Sequence, residues 1–354
     1  MLSLLSYKGS GTTQHYSMRY SMRLKVKLKR YMGNKPKRQM EQKVLRQSGK
    51  ALSPYHFFHV IKIRKKITPY IFLLPAALIF MTFVIFPTVQ AFRISLFQWN
   101  GISPFQTAQY VGLSNYQELI SDRLFINAAK NNVIWLVMFT LLPVLLGLGI
   151  ALLLELDIKV KNLLKSIIFL PTAISLVVAG IIWSFVYDPD FGSLNAILKS
   201  MKLGFLARGW LGRSETALFA IIIAATWIST GMCMVILSAG LKGISPEIME
   251  AARADGANYW QLLWHITLPL LTRPLVIVVA LMIINSLKSF DIVYAMTRGG
   301  PFYSTDVIAL FMYRQAFPFL RAGYGSAVAV ILFTIILLIA IPYIRRITER
   351  TAEY

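Results

Sequence analysis

The chain has 354 residues, of which 56% are hydrophobic and only 15% are charged. Soluble domains usually carry about 25% charged residues, so this composition argues against a soluble protein. The formal net charge of +22 is concentrated in residues 1–66, which hold 17 Lys or Arg residues and a single acid, Glu41.

Residues 1–66 form a basic N-terminal tail that we expect to be disordered and cytoplasmic. The tail holds no long apolar run, so a typical signal peptide is not predicted. An organellar transit peptide and a start codon placed too early are the alternatives. Between residues 23 and 29, Lys and Arg alternate with apolar residues, a pattern that suits anionic lipid headgroups and equally suits a solvated arm.

Five uncharged apolar runs follow the tail, and each is at least 22 residues long: 71–92, 133–154, 166–187, 216–241 and 322–344. About 20 helical residues cross the hydrocarbon core of a bilayer, so each run predicts a membrane span. A sixth run, 274–287, has only 14 uncharged residues and could be re-entrant. We predict that it continues to about Met296 as a full span, on which Lys288 and Asp291 share one helix face and pair or line a wet cavity.

The fold class predicted from these runs is an all-α, polytopic membrane protein with six transmembrane helices over residues 67–348. The basic tail places the N-terminus in the cytoplasm by the positive-inside rule, whereas the other loops do not decide the orientation. Six spans return the C-terminus, residues 349–354, to the same side.

The sequence contains no phosphate-binding Gly-x-x-x-x-Gly-Lys-Ser/Thr loop, so we expect no ATP or other cofactor to bind to this chain itself. Gly147 and Gly149 lack the third glycine of a dinucleotide motif and are interpreted as helix-packing residues. The four histidines and one cysteine predict no metal site, and Cys233 is expected to be an inert core thiol. The five apolar runs hold no Asp, Glu, Lys, Arg or His, which predicts no catalytic residues and no enzymatic reaction.

The most specific motif lies within segment 245–270 and combines Glu-Ala-Ala, Asp-Gly and Ile-x-Leu-Pro elements. Its residues are Glu250, Ala251, Ala252, Asp255, Gly256, Ile266, Leu268 and Pro269. Pro246, after a possible N-cap at Ser245, predicts a helix over 246–254, and Gly256 predicts a turn. A second helix is expected over 259–267, halted by Pro269. Such a helix-turn-helix can seat its small alanines in a partner's cleft, with two carboxylates available to pair with cations.

This spacing resembles the EAA signature of the permease subunits of binding-protein-dependent ABC importers. The resemblance extends over about residues 67–348 and points to sugar-importer permeases of the maltose and glycerol-phosphate group. It is carried further by short segments in a shared order, among them Phe86-Pro87, Asn115-Tyr116, Phe169-Leu170-Pro171, Trp210-Leu211, Gly299-Gly300-Pro301 and Gly323-Tyr324-Gly325. The large periplasmic insertion of some maltose-type subunits is missing here.

The resemblance implies a set of partners and a location. The expected partners are a second permease subunit in a heterodimer, a dimer of ATP-binding subunits that receives segment 245–270 and holds ATP and Mg, and a periplasmic or lipoprotein solute-binding protein. The expected location is the bacterial cytoplasmic (inner) membrane, and no nucleic acid is expected to bind. In this interpretation the chain carries a sugar or sugar derivative into the cytoplasm.

Polar residues inside the apolar runs are the candidates for a carbohydrate path. They form three clusters: Thr226, Trp227, Ser229 and Thr230; Asn285, Ser286 and Ser289; and Thr172 and Ser175. The alternative is structural, because Ser and Thr can bond to their own helix carbonyls, Gly231 and Ser238 can permit close helix contact, and Trp227 can serve packing.

Two other function classes compete with this interpretation. An ion-coupled secondary transporter or channel subunit would need intramembrane charges, and only Lys288 and Asp291 offer them. A membrane scaffold with a nucleic-acid-binding tail would use residues 1–66.

Overall fold

The computed structural model describes residues 72–156 and 159–352. The predicted tail, residues 1–66, lies outside the described residues, and so do residues 353 and 354. The chain separates into two units, Met1–Phe80 and Met81–Tyr354, and of the first unit only residues 72–80 are described, as a helical stretch.

The first part of the described chain combines one small hairpin with helices. Helix α1 covers Phe72–Ile94 and contains a π-helical turn at Met81–Ile85. Strands β1 (Phe97–Gln98) and β2 (Gln109–Tyr110) pair antiparallel, with Phe97 opposite Tyr110. The helices that follow are α2 (Ser114–Ser121), α3 (Arg123–Leu153), α4 (Lys161–Phe169), α5 (Leu176–Val186) and α6 (Ser193–Ser200).

The second part consists of helices joined by turns and loops. Its helices are α7 (Ala217–Lys242), α8 (Pro246–Ala254), α9 (Tyr259–Leu270), α10 (Thr272–Leu287), α11 (Asp291–Met296), α12 (Ile308–Ala316) and α13 (Ala322–Ala352). Short 3-10 turns lie at Phe105–Thr107, Leu170–Ala173 and Gly204–Leu206.

Four described helices are long and apolar enough to cross a bilayer: α1, α3, α7 and the Ala322–Tyr343 part of α13. Two further pairs pass the same test together but are bent, namely Lys161–Ala173 with α5 and α9 with α10. The described residues therefore contain four candidate spans, or up to six if each bent pair crosses once. The described residues are mostly helical, which confirms the predicted helical membrane protein, whereas the number of six spans stays a prediction.

The span predicted over residues 166–187 is not one straight helix. The helical segments Lys161–Ala173 and α5 meet at an angle of 104°. Ile174 is extended between them, and the Ser175 side chain caps α5 by accepting a hydrogen bond from Val178 N at 3.3 Å. Run length alone missed the break because Ser175, a helix-starting residue, lies inside an apolar stretch.

The prediction that the sixth run continues as one helix to Met296 is wrong. Helix α10 ends at Leu287, and α11 begins at Asp291 after a non-helical Phe290. Lys288 and Asp291 therefore do not share a helix face, and no ion pair joins them among the described side chains. The helix stops where the apolar run stops, because the polar segment that follows adopts its own turn.

The main core lies where α3 and α7 pack together. Fully buried Trp135 and Met234 belong to it, and 67% of the most apolar window of α7 is buried. A Cβ on Gly147 would lie 2.6 Å from the Cβ of Cys233, so Gly147 is a packing glycine, as expected. Gly149 has open space beside it, so it packs against no other described helix of this chain, and the packing interpretation of that residue stays a prediction. Cys233 is fully buried, as expected of a core thiol.

A second apolar cluster joins the start of α13 to α12 and α2. Phe311 and Tyr324 are almost completely buried in it, and their rings pack edge to face. The Tyr324 hydroxyl donates to the Asp122 carboxylate at 2.8 Å, and Asp122 also caps α3. This cluster holds α2, α12 and the start of α13 together.

Candidate functional site

Segment 245–270 begins with helix α8, whose bounds, Pro246–Ala254, are those expected from the sequence. Ser245 occupies the N-cap position, but its hydroxyl bonds the Glu247 carboxylate instead of a backbone N–H. After Asp255 the chain turns at Gly256, whose φ of +85° lies in the left-handed region that disfavours L side chains. The turn therefore depends on glycine at this position.

The second half of the segment is one continuous helix. Asn258 and Gln261 form a reciprocal capping box, with hydrogen bonds of 2.9 and 2.8 Å, at the start of α9. The helix then widens to a π-helical stretch, Leu262–Thr267, and runs on through Pro269. The prediction that Pro269 halts it is wrong, because the change to π-helical bonding just before the proline accommodates its missing N–H. The break comes at Leu271, where α9 and α10 meet at 66°.

The motif residues divide into an exposed group and a half-buried group. Glu250, Ala251, Asp255, Gly256 and Pro269 are exposed, while Ala252, Ile266 and Leu268 are half-buried. Neither Glu250 nor Asp255 has an ion-pair partner among the described side chains. The segment thus presents two available carboxylates beside small alanines on an open surface.

Large apolar side chains that the motif search missed lie on the same segment. Tyr259, Trp260 and Trp264 are 56%, 65% and 62% exposed, and Ile248 on α8 is 46% exposed. Exposed aromatic residues of this size are unusual on a solvated surface and mark an interaction surface. The signal was in the sequence, since three aromatic residues fall within six positions of a short helix.

The polar cluster on α7 is mainly used within the helix. The Thr226 and Thr230 hydroxyls, both buried, donate to the carbonyls of Ile222 and Thr226 at 2.8 and 2.7 Å. Ser229 is half-buried. Trp227 is 38% exposed and packs edge to face on Trp183, with ring centroids 5.9 Å apart.

The break between α4 and α5 lies against this part of α7. The Thr172 hydroxyl donates to the Ile228 carbonyl at 2.9 Å, and Ser175 is exposed in its capping role. A Cβ on Gly231 would lie 2.5 Å from the Ile168 carbonyl oxygen, so at Gly231 the structural alternative, close helix contact, is observed. Thr172 and the α7 cluster are therefore brought together.

The third cluster lies at the end of α10. Asn285 is exposed and makes no hydrogen bond to another described residue. Ser286 is buried and donates to the Ile283 carbonyl at 2.9 Å, whereas the buried Ser289 hydroxyl has no partner among the described atoms. No side-chain hydrogen bond joins this cluster to the other two within the described part of the chain.

Three asparagines on α3 hold the loop between α11 and α12, a role that the sequence reasoning did not assign. Asn131 donates to the carbonyls of Ser304 and Asp306 at 2.9 and 2.8 Å. Asn127 donates to Tyr303 O, and Asn132 accepts from Ile308 N at 2.7 Å. Amides near the start of an apolar helix were the available signal, because a buried amide needs partners.

A buried ion pair completes this loop. The Arg314 guanidinium contacts both carboxylate oxygens of Asp306, whose side chain is fully buried, at 2.5 and 2.6 Å. Burial raises the pKa of the Asp306 carboxyl to about 6, against the opposing effect of Arg314. The Asp306 carboxyl therefore changes its protonation state near pH 6.

Comparison with known proteins decides the family. The profile of the family described as "Binding-protein-dependent transport system inner membrane component" matches residues 143–353. This chain belongs to that family. It is a multi-pass permease subunit of the inner membrane, and a subunit of this kind moves a solute without making or breaking its covalent bonds.

The relatives are permeases matched over nearly their whole length. The osmoprotective compounds uptake permease GgtC of Synechocystis sp. is 42% identical over 278 residues, which cover 77% of this chain and 96% of GgtC. The trehalose/maltose transport permease MalF of Thermococcus litoralis is 33% identical over 285 residues, covering 80% of this chain and 95% of that one. Among solved structures, a chain of a bacterial ABC transporter that imports the acidic polysaccharide alginate shares the fold, with a TM-score of 0.70 at 22% identity, covering 82% of this chain and 99% of that one.

Proposed function

We propose that this permease carries a carbohydrate, an oligosaccharide, sugar or sugar derivative, into the cytoplasm as part of an ATP-driven importer. Family membership supports delivery of the solute by a binding protein. The names of relatives support the substrate class, since they include trehalose/maltose, alpha-glucoside and sulfoquinovosyl glycerol permeases. No observation favours the ion-coupled alternative, because Lys288 and Asp291 do not form the pair that it would use.

The observation that carries the proposal is the open surface of segment 245–270. We propose that this surface docks on an ATP-binding subunit, which belongs to a dimer and holds the ATP and Mg. The Glu250 and Asp255 carboxylates are exposed and unpaired among the described side chains, so they are available to cations of a partner. Ala251 lets the partner approach the backbone of α8, and the Trp260 and Trp264 rings supply apolar area.

The proposed substrate path uses the polar residues that remain accessible. Asn285 is exposed with a free amide, Trp227 exposes part of a flat ring, and Ser229 is half-buried nearby in sequence. Sugars are recognised by hydrogen bonds to their hydroxyls and by aromatic faces. Residues whose hydroxyls are already donated within the chain, or buried, keep a supporting part in this proposal: Thr172, Thr226, Thr230, Ser286 and Ser289. Ser175 also keeps a supporting part, because its exposed hydroxyl accepts the capping hydrogen bond of α5.

The proposed assembly places both chain termini in the cytoplasm and pairs the chain with a second, different permease subunit. The basic tail supports the orientation through the positive-inside rule. A single chain offers its path residues only on a surface, so a central path needs a second subunit to enclose it. The structure of the alginate ABC transporter with a pentasaccharide-bound periplasmic protein is consistent with such an assembly, because that transporter shares the fold at a TM-score of 0.67.

The test is reconstitution. The purified chain alone is expected to hydrolyse no ATP, whereas a complex with an ATP-binding subunit and a second permease, in proteoliposomes with the binding protein, should hydrolyse ATP and accumulate labelled sugar. Sugar uptake that persists without ATP, or stops when an ionophore dissipates ion gradients while ATP is present, would contradict the proposal. ATP hydrolysis by the single chain would contradict it as well.

A further inference from the structure

A polar cavity of about 380 Å³ lies between the β1–β2 hairpin, α2 and the start of α13. It is separate from the proposed path, whose residues lie on α7, at the end of α10 and at the break between α4 and α5. Its volume lies in the range of pockets that hold small ligands, roughly 300–1,000 Å³. Under the proposed orientation it opens on the extracytoplasmic side, where the solute arrives.

Hydrogen bonds to backbone carbonyls hold the cavity walls together. The Asn115 amide, in a residue only 7% exposed, donates to the carbonyls of Ser95 and Phe97 at 2.8 and 3.1 Å. Gly323 N donates to Trp99 O at 3.0 Å, and a Cβ at Gly323 would clash with the Phe97 carbonyl. The hairpin is thus bound to α2 and to α13, and the cavity is preorganised rather than formed by a mobile loop.

Both donors and acceptors remain available inside the cavity. The side-chain oxygen of Asn100, Oδ1, accepts three hydrogen bonds, from Ile102 N, Ser103 N and the Ser103 hydroxyl. The side-chain NH₂ group of Asn100 is therefore left to donate. Asn115 uses its NH₂ group, so its carbonyl oxygen is left to accept. The exposed Gln98 amide makes no hydrogen bond to another described residue and offers both.

The charges in the cavity are balanced. Arg321 contacts both carboxylate oxygens of Glu118 at 2.6 Å, and its guanidinium lies 4.2 Å from the centre of the Tyr324 ring. Because the pair carries no net charge, it favours neither an anionic nor a cationic ligand, and its hydrogen-bonding atoms suit a neutral one. The Trp99 indole N–H is donated to Ser103 O at 2.8 Å, so Trp99 contributes only its apolar ring.

We propose that this cavity is a carbohydrate-binding subsite that holds a neutral glycosyl unit before it enters the path. A sugar hydroxyl can donate one hydrogen bond and accept another. The cavity offers free amide N–H donors and free amide oxygen acceptors, and they lie around the Trp99 ring and the Glu118–Arg321 ion pair. The choice of substrate class rests on the proposed function, whereas the site itself rests on the cavity and its free hydrogen-bonding groups.

The test is protection of a cysteine in the cavity of the assembled transporter, with maltose as the probe. The chain's own cysteine, Cys233, is fully buried, so background labelling is low. Ala108→Cys places a thiol in the cavity wall, and Gln106→Cys places one on the same loop outside the wall. Maltose is expected to slow maleimide labelling of the Ala108→Cys variant and to leave the labelling rate of the Gln106→Cys variant unchanged. If the Ala108→Cys complex does not assemble, Thr107→Cys, also in the wall, replaces it.

Two further substitutions test the assigned groups in the Ala108→Cys background. Gln98→Ala removes an amide, and Asn100→Asp keeps the accepting oxygen of the turn while removing the free NH₂ group. Each should raise the half-protecting maltose concentration about two- to tenfold, the effect of losing one neutral hydrogen bond. The matched control, Gln106→Ala, should not change it.

The possible outcomes distinguish a failure of the proposed subsite from a failure of the proposed function. Equal labelling of the wall cysteine with and without maltose overturns the subsite, and so does protection that neither Gln98→Ala nor Asn100→Asp weakens. Protection by sodium glucuronate at lower concentration than maltose overturns the assignment to a neutral ligand. Protection by maltose in a complex that imports no sugar contradicts the proposed function and leaves the subsite standing.

Discussion

At the scale of single residues, the Asp306–Arg314 pair carries the clearest electrostatic consequence. An unfolded Asp carboxyl has a pKa of about 3.9, and burial raises the folded value to about 6. The folded state therefore binds this proton more tightly than the unfolded state. Through this group, the free energy of unfolding falls as pH rises from about 4 to about 6.

Arg314→Gln should destabilise the protein more at high pH than at low pH. Removing the guanidinium removes the effect that lowers the Asp306 pKa, so the decline in stability with pH continues above pH 6. Losing one partner of a buried ion pair costs about 3–5 kcal/mol when the other stays charged. Thermal unfolding of the purified complex should show a small loss at pH 5 and a larger one at pH 8.

Arg298→Gln is the matched control for that experiment. Arg298 is exposed and makes no ion pair among the described side chains, so its loss should change melting by a similar small amount at both pH values. A deficit of Arg314→Gln that is the same at pH 5 and pH 8 would contradict the argument from Asp306.

Asn285→Leu should impair sugar uptake more than assembly. The amide is exposed and bonds no described residue, so its replacement by an apolar group of similar size removes no described internal hydrogen bond. Loss of one neutral bond to a sugar hydroxyl costs about 0.5–1.5 kcal/mol, up to about tenfold in affinity. Uptake per purified complex measures it, and Asn285→Gln should restore part of the loss. A variant with normal uptake but poor complex yield would assign Asn285 to the subunit interface.

At the scale of elements, the turn between α8 and α9 depends on one backbone conformation. Gly256→Pro should abolish ATP-coupled uptake while membrane insertion stays normal. Proline fixes φ near −65°, far from the +85° found here, and removes the N–H that donates to Arg253 O at 3.0 Å. Gly256→Asn, which tolerates positive φ better than other side chains, should keep part of the uptake. Normal uptake with proline would remove the turn from the coupling process.

The contact of α7 with α4 is equally sensitive to one Cβ. Gly231→Ala places a methyl group 2.5 Å from the Ile168 carbonyl oxygen, so the helices must separate at a cost of about 1–3 kcal/mol. Gly149→Ala, on α3 with open space around it, should leave stability unchanged or raise it by about 1 kcal/mol, because alanine favours the helix. Melting temperatures of the two complexes measure the difference, and equal values would contradict the close contact.

The elements that could be predicted from the sequence are those defined by local chemistry. Pro246 and Gly256 mark the start of α8 and the turn after it, because proline and glycine restrict the backbone directly. The break at Ser175 and the end of α10 at Leu287 escaped prediction, because long apolar runs hide the signals of helix ends. Gly147 and Gly149 look alike in sequence, and only the position of α7 separates the packed one from the open one.

At the scale of the whole molecule, much of the apolar surface lies outside. In the most apolar stretch of α1 no residue is buried, and in the most apolar stretches of α3 and α13 only 33% of the residues are buried. A bilayer and a second subunit would cover such a surface. The candidate site was only partly predictable for the same reason: which polar residue faces a path is decided by the assembly, not by one chain.

The bend at Leu271 sets how far segment 245–270 has to move to rotate α9 by a given angle. Leu271 is fully buried and lies against the end of α7, where a Cβ on Gly240 would meet its side chain at 3.0 Å. Helix α9 extends from this fulcrum as an arm of about 18 Å, at 1.5 Å per residue. A displacement of about 3 Å at the Tyr259 end of the arm therefore equals a rotation of about 10° about Leu271. If α9 and α10 move as one rigid body, α10, which carries Asn285 at its far end, tilts by the same angle.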